Sequence, residues 1–438
     1  MRLVLIDPKG VWEGLNNGIA YIAAMVREDH QVSVIDFVNK SGDEDIRLEK
    51  VKDADVVGIS VKSFTLLESI RIANKVRKIN PSAKIIAGGP HVIVDGINLL
   101  KETPVFDIGV TGEAEFTFKD IIDGKDENRV SGVIYKDNND IKQTNKRPWI
   151  EDLDALPFPI YDDFDSVDGK IDNWPLVTSR GCPYTCTYCN VPKVIGRKFR
   201  TRSGKNILDE LLLAKEKYKS EEFKVLDDNF TLLMNRAKDI CKLFVDEKLD
   251  MKWTCPNGIR ADRLDDELCK LMKESGCYSV SIGIESGDVD VFDKIRKGEK
   301  LEDVERGIKS AKKAGLKVHG FFILGLYGST YESDKRSMKF AKKVGVDSAS
   351  WGILVPYPGT EVWEQIKNDP KSRILRDWKE GFHVGAKPNV VYDTSEYTAE
   401  ERLKAYYLAN MKFIKKRDIP KAAKMLIKDI LSKKKRGK

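Results

Sequence analysis

Nowhere in the 438 residues is there a run approaching the roughly 18–20 uninterrupted apolar residues that a membrane-spanning helix needs. No apolar signal segment opens the chain: Met1 leads straight into the strand-like Arg2-Leu3-Val4-Leu5-Ile6, closed by Asp7. Integral-membrane and secreted classes are set aside, and the expected location is cytoplasmic. Cysteine is absent before Cys182, and the seven present are an odd number, which excludes a disulfide framework of the secreted kind. A global excess of one charge is missing too. Residues 424–438 hold seven basic groups against the single acid Asp429, and without that tail the other 423 residues carry only +1. No nucleic-acid partner is expected from that balance. The tail, Lys433-Lys434-Lys435-Arg436 behind the amphipathic Ala422–Leu431, allows at most peripheral contact with an anionic membrane, an arrangement suited to a lipid-like substrate; a packed terminal helix with a solvated end is the plainer reading.

What is present is apolar material for sizeable cores, 41% of residues, in a chain too long for one ordinary domain of about 100–200 residues. The first 140 residues alternate strand candidates (Leu3–Ile6, Val32–Asp36, Val56–Ser60, Lys84–Ala87, Asp107–Val110) with helix candidates (Ile19–Arg27, Leu66–Ile79, Glu113–Ile122). Each crossover needs a helix, so this rhythm predicts a doubly wound parallel α/β sheet, whose ligands bind beyond the carboxyl ends of the strands. The loops there read Asp7-Pro8-Lys9-Gly10-Val11-Trp12, Val61-Lys62-Ser63, Gly88-Gly89-Pro90-His91 and Thr111-Gly112-Glu113. A hairpin over 131–141 closes the unit, and Leu156-Pro157-Phe158-Pro159 reads as extended linker within 151–171. A second series of six βα repeats, with strands beginning at Leu176, Phe223, Lys252, Tyr278, Val318 and Ser348, predicts a barrel-like sheet. From Glu361 onward the pattern is helical, with Thr398–Lys416 and Ala422–Leu431 separated by Pro420.

The cysteines divide into two groups. Cys241, Cys255, Cys269 and Cys277 are scattered and read as buried packing thiols. Cys182, Cys186 and Cys189 fall within eight residues, in a loop just after a strand, where three thiolates can reach one inorganic centre; soft ligation of that kind selects zinc or iron–sulfur. A structural zinc needs a fourth ligand, and none of His30, His91, His319 or His383 stands nearby in sequence.

The run Arg180-Gly181-Cys182-Pro183-Tyr184-Thr185-Cys186-Thr187-Tyr188-Cys189 resembles the CxxxCxxC signature of radical S-adenosylmethionine (SAM) enzymes, with an aromatic before the last cysteine. The resemblance implies a [4Fe-4S] cluster on the three cysteines, whose open iron chelates the amino and carboxylate groups of SAM, and reductive cleavage to a 5′-deoxyadenosyl radical. Further segments resemble the family's SAM-binding segments at strand ends: Val225-Leu226-Asp227-Asp228-Asn229-Phe230, Ser281-Ile282-Gly283-Ile284-Glu285, Phe321-Phe322-Ile323-Leu324-Gly325 and Val355-Pro356-Tyr357-Pro358. They imply SAM contacts from Tyr188, Asp228, Ser281, Glu285, Ile323, Gly325 and Val355.

The order of the two series is similar to the subgroup with a cobalamin-binding, flavodoxin-like domain ahead of a partial (β/α)6 barrel. The implied division is 1–150 for the first domain, 151–171 for the linker, 172–360 for the barrel and 361–438 for the helical region. Trp12, Ser60, Val61, Gly89, Pro90 and Gly112 are the implied cobalamin contacts. The first domain lacks the Asp-x-His-x-x-Gly of histidine-ligating relatives; His91 is a loop histidine at a strand end. The activity implied is hydrogen abstraction followed by C-methylation of a small-molecule or lipid-like substrate, with ferredoxin or flavodoxin as electron donor. A cobalamin-free radical enzyme with a vestigial first domain, and a non-catalytic iron–sulfur electron-transfer protein, are the alternatives; catalytic acids and bases are not legible.

Overall fold

The computed structural model describes residues 1–10, 13–381 and 388–413. Trp12, His383, the segment Ala422–Leu431 and the basic tail lie outside the described residues. Two compact units emerge, Met1–Pro183 with Val191–Leu226, and Tyr184–Asn190 with Asp227–Lys438.

In the first unit, short runs rich in Val and Ile form β1 (Arg2–Asp7), β2 (Gln31–Asp36), β3 (Val56–Ser60), β4 (Lys84–Gly88) and β5 (Ile108–Val110). Between them lie α1 (Asn17–Val26), α2 (Glu44–Leu48), α3 (Leu66–Ile79) and α4 (Pro90–Glu102), then α5 (Ala114–Ile122) and the hairpin β6 (Val133–Asp137) and β7 (Asp140–Gln143). The strand order is β2-β1-β3-β4-β5-β6-β7, parallel as far as β5 and antiparallel beyond it. An order of 2-1-3-4-5 is flavodoxin-like, and it places the topological switch point between β1 and β3. Leu3, Leu5, Ile6, Val57, Ile59, Ile85 and Ile86 are nearly inaccessible because parallel strands are covered on both faces.

The stretch expected as a linker is packed instead. Val34 donates its amide to the Asp163 carbonyl at 2.8 Å, and Asp165 returns a bond to Val34 at 3.0 Å. The Asp165 carboxylate pairs with buried Arg47 at 2.8 Å, and Leu153 and Leu156 bury against Tyr21. Phe164 forms a parallel bridge with Val34, so this stretch covers the edge of the sheet at β2. The first unit continues through β8 (Asn173–Leu176), β9 (Ser179–Arg180), α6 (Val191–Val194), β10 (Arg200–Thr201), α7 (Gly204–Lys217) and β11 (Glu222–Val225). β8 pairs parallel with β11, and β9 pairs antiparallel with β10.

The second unit contributes α8 (Met234–Asp246), β12 (Lys252–Ile259), α9 (Asp266–Glu274), β13 (Cys277–Glu285), α10 (Val289–Lys294), α11 (Leu301–Lys313), β14 (Lys317–Leu324), α12 (Tyr331–Val344) and β15 (Ser348–Ile353). β12 to β15 pair in parallel in chain order. All six strands expected between residues 172 and 360 are therefore present. The region after Glu361 is not purely helical: α13 (Glu361–Asn368) and α14 (Ala399–Phe413) flank an antiparallel pair, β16 (Ser372–Ile374) with β17 (Tyr392–Thr394). Three-residue strands carry too little periodicity to be read from sequence.

α11 packs onto residues 261–263, and Gly307 is the residue that permits it: a Cβ there would stand 2.2 Å from the Ala261 carbonyl oxygen. Gly307→Ala should therefore cost about 1–3 kcal/mol despite its better helix propensity. A denaturation midpoint unchanged or raised relative to the parent would contradict this packing.

Candidate functional site

The loops beyond β1, β3 and β4 interlock. Asn16 caps α1, accepting the Ile19 amide at 3.2 Å, and its side-chain amide donates to Ser60 Oγ at 3.2 Å. Val61 donates its N–H to the Gly88 carbonyl at 2.7 Å and accepts the His91 amide at 3.0 Å. Gly89 adopts φ +101°, and a Cβ would meet the Val61 carbonyl at 3.0 Å, so only glycine fits this turn. At Gly88 and Gly112 nothing lies within 4 Å of where a Cβ would stand. Beneath these loops Asp7 is buried; its Oδ1 accepts from Lys62 Nζ at 2.8 Å, while Oδ2 has no hydrogen-bond partner. Burial raises the Asp7 pKa in spite of Lys62 and Asn16.

Val61 has a fully buried side chain, and its backbone N–H and carbonyl are both bonded, which joins the loops after β3 and β4. One expectation needs correction here. His91 is not a loop residue: it is the second residue of α4, buried, with Nδ1 3.2 Å from Ser63 Oγ. Proline at the first helical position starts α4 immediately after Gly89. Ser60, Gly89 and Gly112 are half-buried and Pro90 is exposed. Glycine positions with open space at the strand ends leave room for a flat group such as a corrinoid, and buried His91 offers it no imidazole.

The cysteine loop is braced along its length. Ahead of it, Arg180 reaches Glu113 at 2.8 Å and Glu115 at 2.6 Å, and Arg200 reaches the other oxygen of Glu113 at 2.7 Å. Gly181 has φ +94°, and a Cβ would collide with the Lys198 carbonyl at 2.2 Å. Cys182 donates its amide to Gly196 at 3.1 Å, and Cys189 donates to Cys186 at 3.1 Å. In the second unit Thr187 donates to the Ile295 carbonyl at 3.0 Å and accepts the Val362 amide at 2.9 Å. Arg260 stacks over the Tyr184 ring at 3.7 Å.

Among the described residues no cysteine is in a disulfide; Cys182, Cys186 and Cys189 are half-exposed, whereas Cys241, Cys255, Cys269 and Cys277 are buried. Burial pushes Cys241 and Cys269 up to about 12 and raises Cys255 and Cys277 as well. Those four stay protonated and do not ligate at neutral pH. No three His, Cys, Asp or Glu side chains among the described residues converge as a single ion would require. A cuboidal cluster, by contrast, takes each thiolate on a different iron.

Beside the loop, Tyr188 donates to Glu285, the last residue of β13, which adopts φ +65°. Burial raises the Glu285 pKa, although Lys297 and Tyr188 oppose it. Tyr188 is pushed well above the usual phenol range by burial, then by Glu285 and by Cys186 and Cys189. Lys297 lies 2.9 Å from Glu299 and 3.8 Å from Glu285 and donates to the Gly283 carbonyl. Burial would lower its pKa, but Glu299 and Glu285 outweigh burial and raise it. Ser281 is buried on β13 opposite His319, while Asp228, Ile323 and Val355 are half-buried. Gly325, just past β14, has φ +68°. Its N–H donates to Asp334 at 2.9 Å, and its carbonyl accepts from Arg402 at 2.8 Å and Tyr392 at 2.5 Å. Reading the sequence missed Arg260, Lys297, Glu299, Asp334, Tyr392 and Arg402. A charge pattern of Arg296-Lys297-Gly298-Glu299 was the available signal for the lysine pair; the last three carry none.

A flavodoxin-like sheet with open strand-end loops, followed by a second sheet of six strands whose first strand leads into a braced three-thiol loop, defines an α/β enzyme built to hold organic and inorganic cofactors. Residues 2–122 match the B12 binding domain family and residues 176–360 the radical SAM superfamily. An uncharacterized methyltransferase of Pyrococcus horikoshii is 33% identical across 94% of this chain and 89% of its own length. Cytidylyl-2-hydroxyethylphosphonate methyltransferase of Streptomyces wedmorensis is 28% identical across 83% of this chain and 81% of that protein. The radical S-adenosylmethionine methyltransferase TsrM of Kitasatospora setae, solved with cobalamin and a [4Fe-4S] cluster, shares the fold with a TM-score of 0.75 at 16% identity, covering 95% of this chain and 89% of that one. This chain belongs to the radical SAM superfamily, in the branch carrying an N-terminal B12 binding domain. It is a cobalamin-dependent radical SAM enzyme of the methyltransferase kind, with a [4Fe-4S] cluster, SAM and cobalamin as cofactors. No helix among the described residues is long and apolar enough to cross a membrane.

Asp334 is buried, and burial raises its pKa from 3.8 to about 6 although Tyr397, Gly325 and Arg402 oppose the shift. The unfolded chain releases this proton near 3.8 and the folded chain only near 6, so stability is highest below the lower value and is lost as pH rises through the upper one. Asp334→Asn removes that contribution. Its apparent melting temperature should fall less than the parent's between pH 4 and pH 6; parallel pH profiles would refute the shift.

Proposed function

We propose that this enzyme methylates an unactivated carbon of a small-molecule substrate, drawing its electron from a ferredoxin or flavodoxin. The reading is carried by one contrast: three half-exposed thiols sit on a braced loop while every other thiol is buried and held protonated. When bound, the cluster with SAM supplies a radical that removes substrate hydrogen, and the corrinoid supplies the methyl group.

Cys182, Cys186 and Cys189 would hold the cluster, since a three-thiolate set leaves one iron for the amino-acid end of SAM. Asp228, half-buried at a strand end, offers a carboxylate to the SAM ammonium. The Lys297 ammonium lies within electrostatic reach of Cys186 and supplies positive charge beside the loop. Tyr188 is held by its bond to Glu285, which fixes the aromatic position between two of the ligating cysteines. Ser281, Ile323, Gly325 and Val355 complete the SAM side, Ile323 and Val355 by excluding water. In the first unit Ser60, Gly89, Pro90 and Gly112 would face the corrinoid.

Anaerobic reconstitution with iron and sulfide, followed by SAM, reductant and cobalamin, should give 5′-deoxyadenosine and a tightly retained corrinoid. Cys182→Ala, Cys186→Ala or Cys189→Ala should each abolish deoxyadenosine formation, while Cys241→Ala and Cys269→Ala should retain most of it. A cluster whose spectrum does not respond to SAM would sink the reading, as would a protein that retains no cobalamin.

A further inference from the structure

The turn at Gly325 is held in an unusual way. β14 ends at Leu324, and beyond a strand end the peptide groups ordinarily turn to water. Here both peptide groups of Gly325 are taken by buried side chains. The N–H goes to Asp334 Oδ2 at 2.9 Å, and that same oxygen accepts the Tyr397 hydroxyl at 2.7 Å. The carbonyl accepts the Tyr392 hydroxyl at 2.5 Å and Arg402 Nη1 at 2.8 Å. Tyr392 and Tyr397 are inaccessible and Arg402 is 1% exposed. The arginine lies over both rings, 4.1 Å from the centre of Tyr392 and 4.8 Å from that of Tyr397, and its Nε donates to the Tyr397 carbonyl at 3.2 Å. Its approach explains the glycine a second time, because a Cβ would stand 2.5 Å from Nη1.

We propose that the segment from Tyr392 to Arg402 is a strap that sets the SAM-binding turn, making Tyr392, Tyr397 and Arg402 positioning residues for that cosubstrate. The inference rests on the reading of Ile323 and Gly325 as SAM contacts. The strap lies beyond residue 360, where the match to the radical SAM superfamily ends. It reaches the turn from two elements, β17 and the start of α14, and the β16 pairing of Ile374 with Tyr392 fixes the tyrosine in place. Two donors on the carbonyl and an acceptor for the N–H hold both peptide planes that flank the Gly325 Cα, and so restrict rotation about its φ and ψ. Any cosubstrate contact made by this backbone therefore takes its orientation from the strap. Two phenols and a guanidinium are an expensive set to bury for a connection that β16, β17 and α14 could make with apolar packing alone.

The test uses full-length reconstituted enzyme. Tyr392→Phe removes one hydroxyl and keeps the ring beneath Arg402; Tyr397→Phe removes the hydroxyl that steadies Asp334. SAM dissociation constants come from the response of the cluster's EPR signal to SAM, alongside iron content and melting temperature. Each variant should bind SAM about 5–20-fold more weakly, the loss expected when one buried hydrogen bond is removed, with iron content at the parent level. Gly325→Ala, measured in parallel, should weaken SAM binding at least as much. Unchanged affinity in both tyrosine variants while Gly325→Ala is impaired would overturn the strap. Unchanged affinity in all three would instead sink the SAM reading of the turn. Should Tyr392→Phe lose its cluster or fold, Tyr397→Phe decides alone, and parent-like affinity there overturns the proposal.

Discussion

Glu113 makes the contact on which the cofactor region depends. Its carboxylate takes Arg180 on one oxygen and Arg200 on the other, and also accepts the Ile150 amide at 2.7 Å. The side chains involved are 8%, 13% and 1% exposed, so these are buried charges in satisfied geometry. Removing one member of such a set typically costs about 3–5 kcal/mol, because the remaining charge stays buried and unpaired. The positions matter more than the energy. Glu113 follows Gly112, in the loop after β5, and Arg180 precedes Gly181 and Cys182, at the start of the cysteine loop. One ion-pair set therefore registers the loop after β5 against the strand that launches the cysteine loop.

Desolvation then sorts chemically identical groups into different roles. Seven cysteines share one side chain, yet the four inside strands and helices of the second unit are raised out of the reactive range while the three on the loop remain half-exposed. The same force raises Glu285 and Asp334, and it would depress Lys297 were Glu299 not beside it. A buried ammonium between two carboxylates, acting on Cys186, gives the loop a fixed positive neighbour in a place where thiolates gather charge. Because these groups are enclosed, their interactions are screened less by salt than surface pairs would be.

Much of this was legible from the residues. Short β-branched runs marked the parallel strands, most of them within one or two residues, since burial on both faces leaves little else to choose; β8 starts three residues earlier than expected and β12 runs five residues further. The cysteine spacing marked three thiols on one loop, and they are the half-exposed ones while the other four are buried. Departures came where packing overrode local signals. Proline after glycine looked like a loop and is the first turn of α4, which carries His91 inward. Leu156-Pro157-Phe158-Pro159 looked like free linker and lies in a stretch whose residues 163–165 bond the edge at β2.

The sequence by itself determined the chemistry: three clustered thiols, glycines at strand ends and the order of two βα series. These are properties of residue type and spacing, and they survive without coordinates. Tertiary structure alone decided which groups support that chemistry. Glu113, Asp334, Tyr392 and Arg402 have no motif, because a buried charge or phenol acquires its role from partners that stand 9 to 87 positions away. Distance along the chain hides such partnerships, and only folding brings the carboxylate, the guanidinium and the peptide carbonyl within reach of one another.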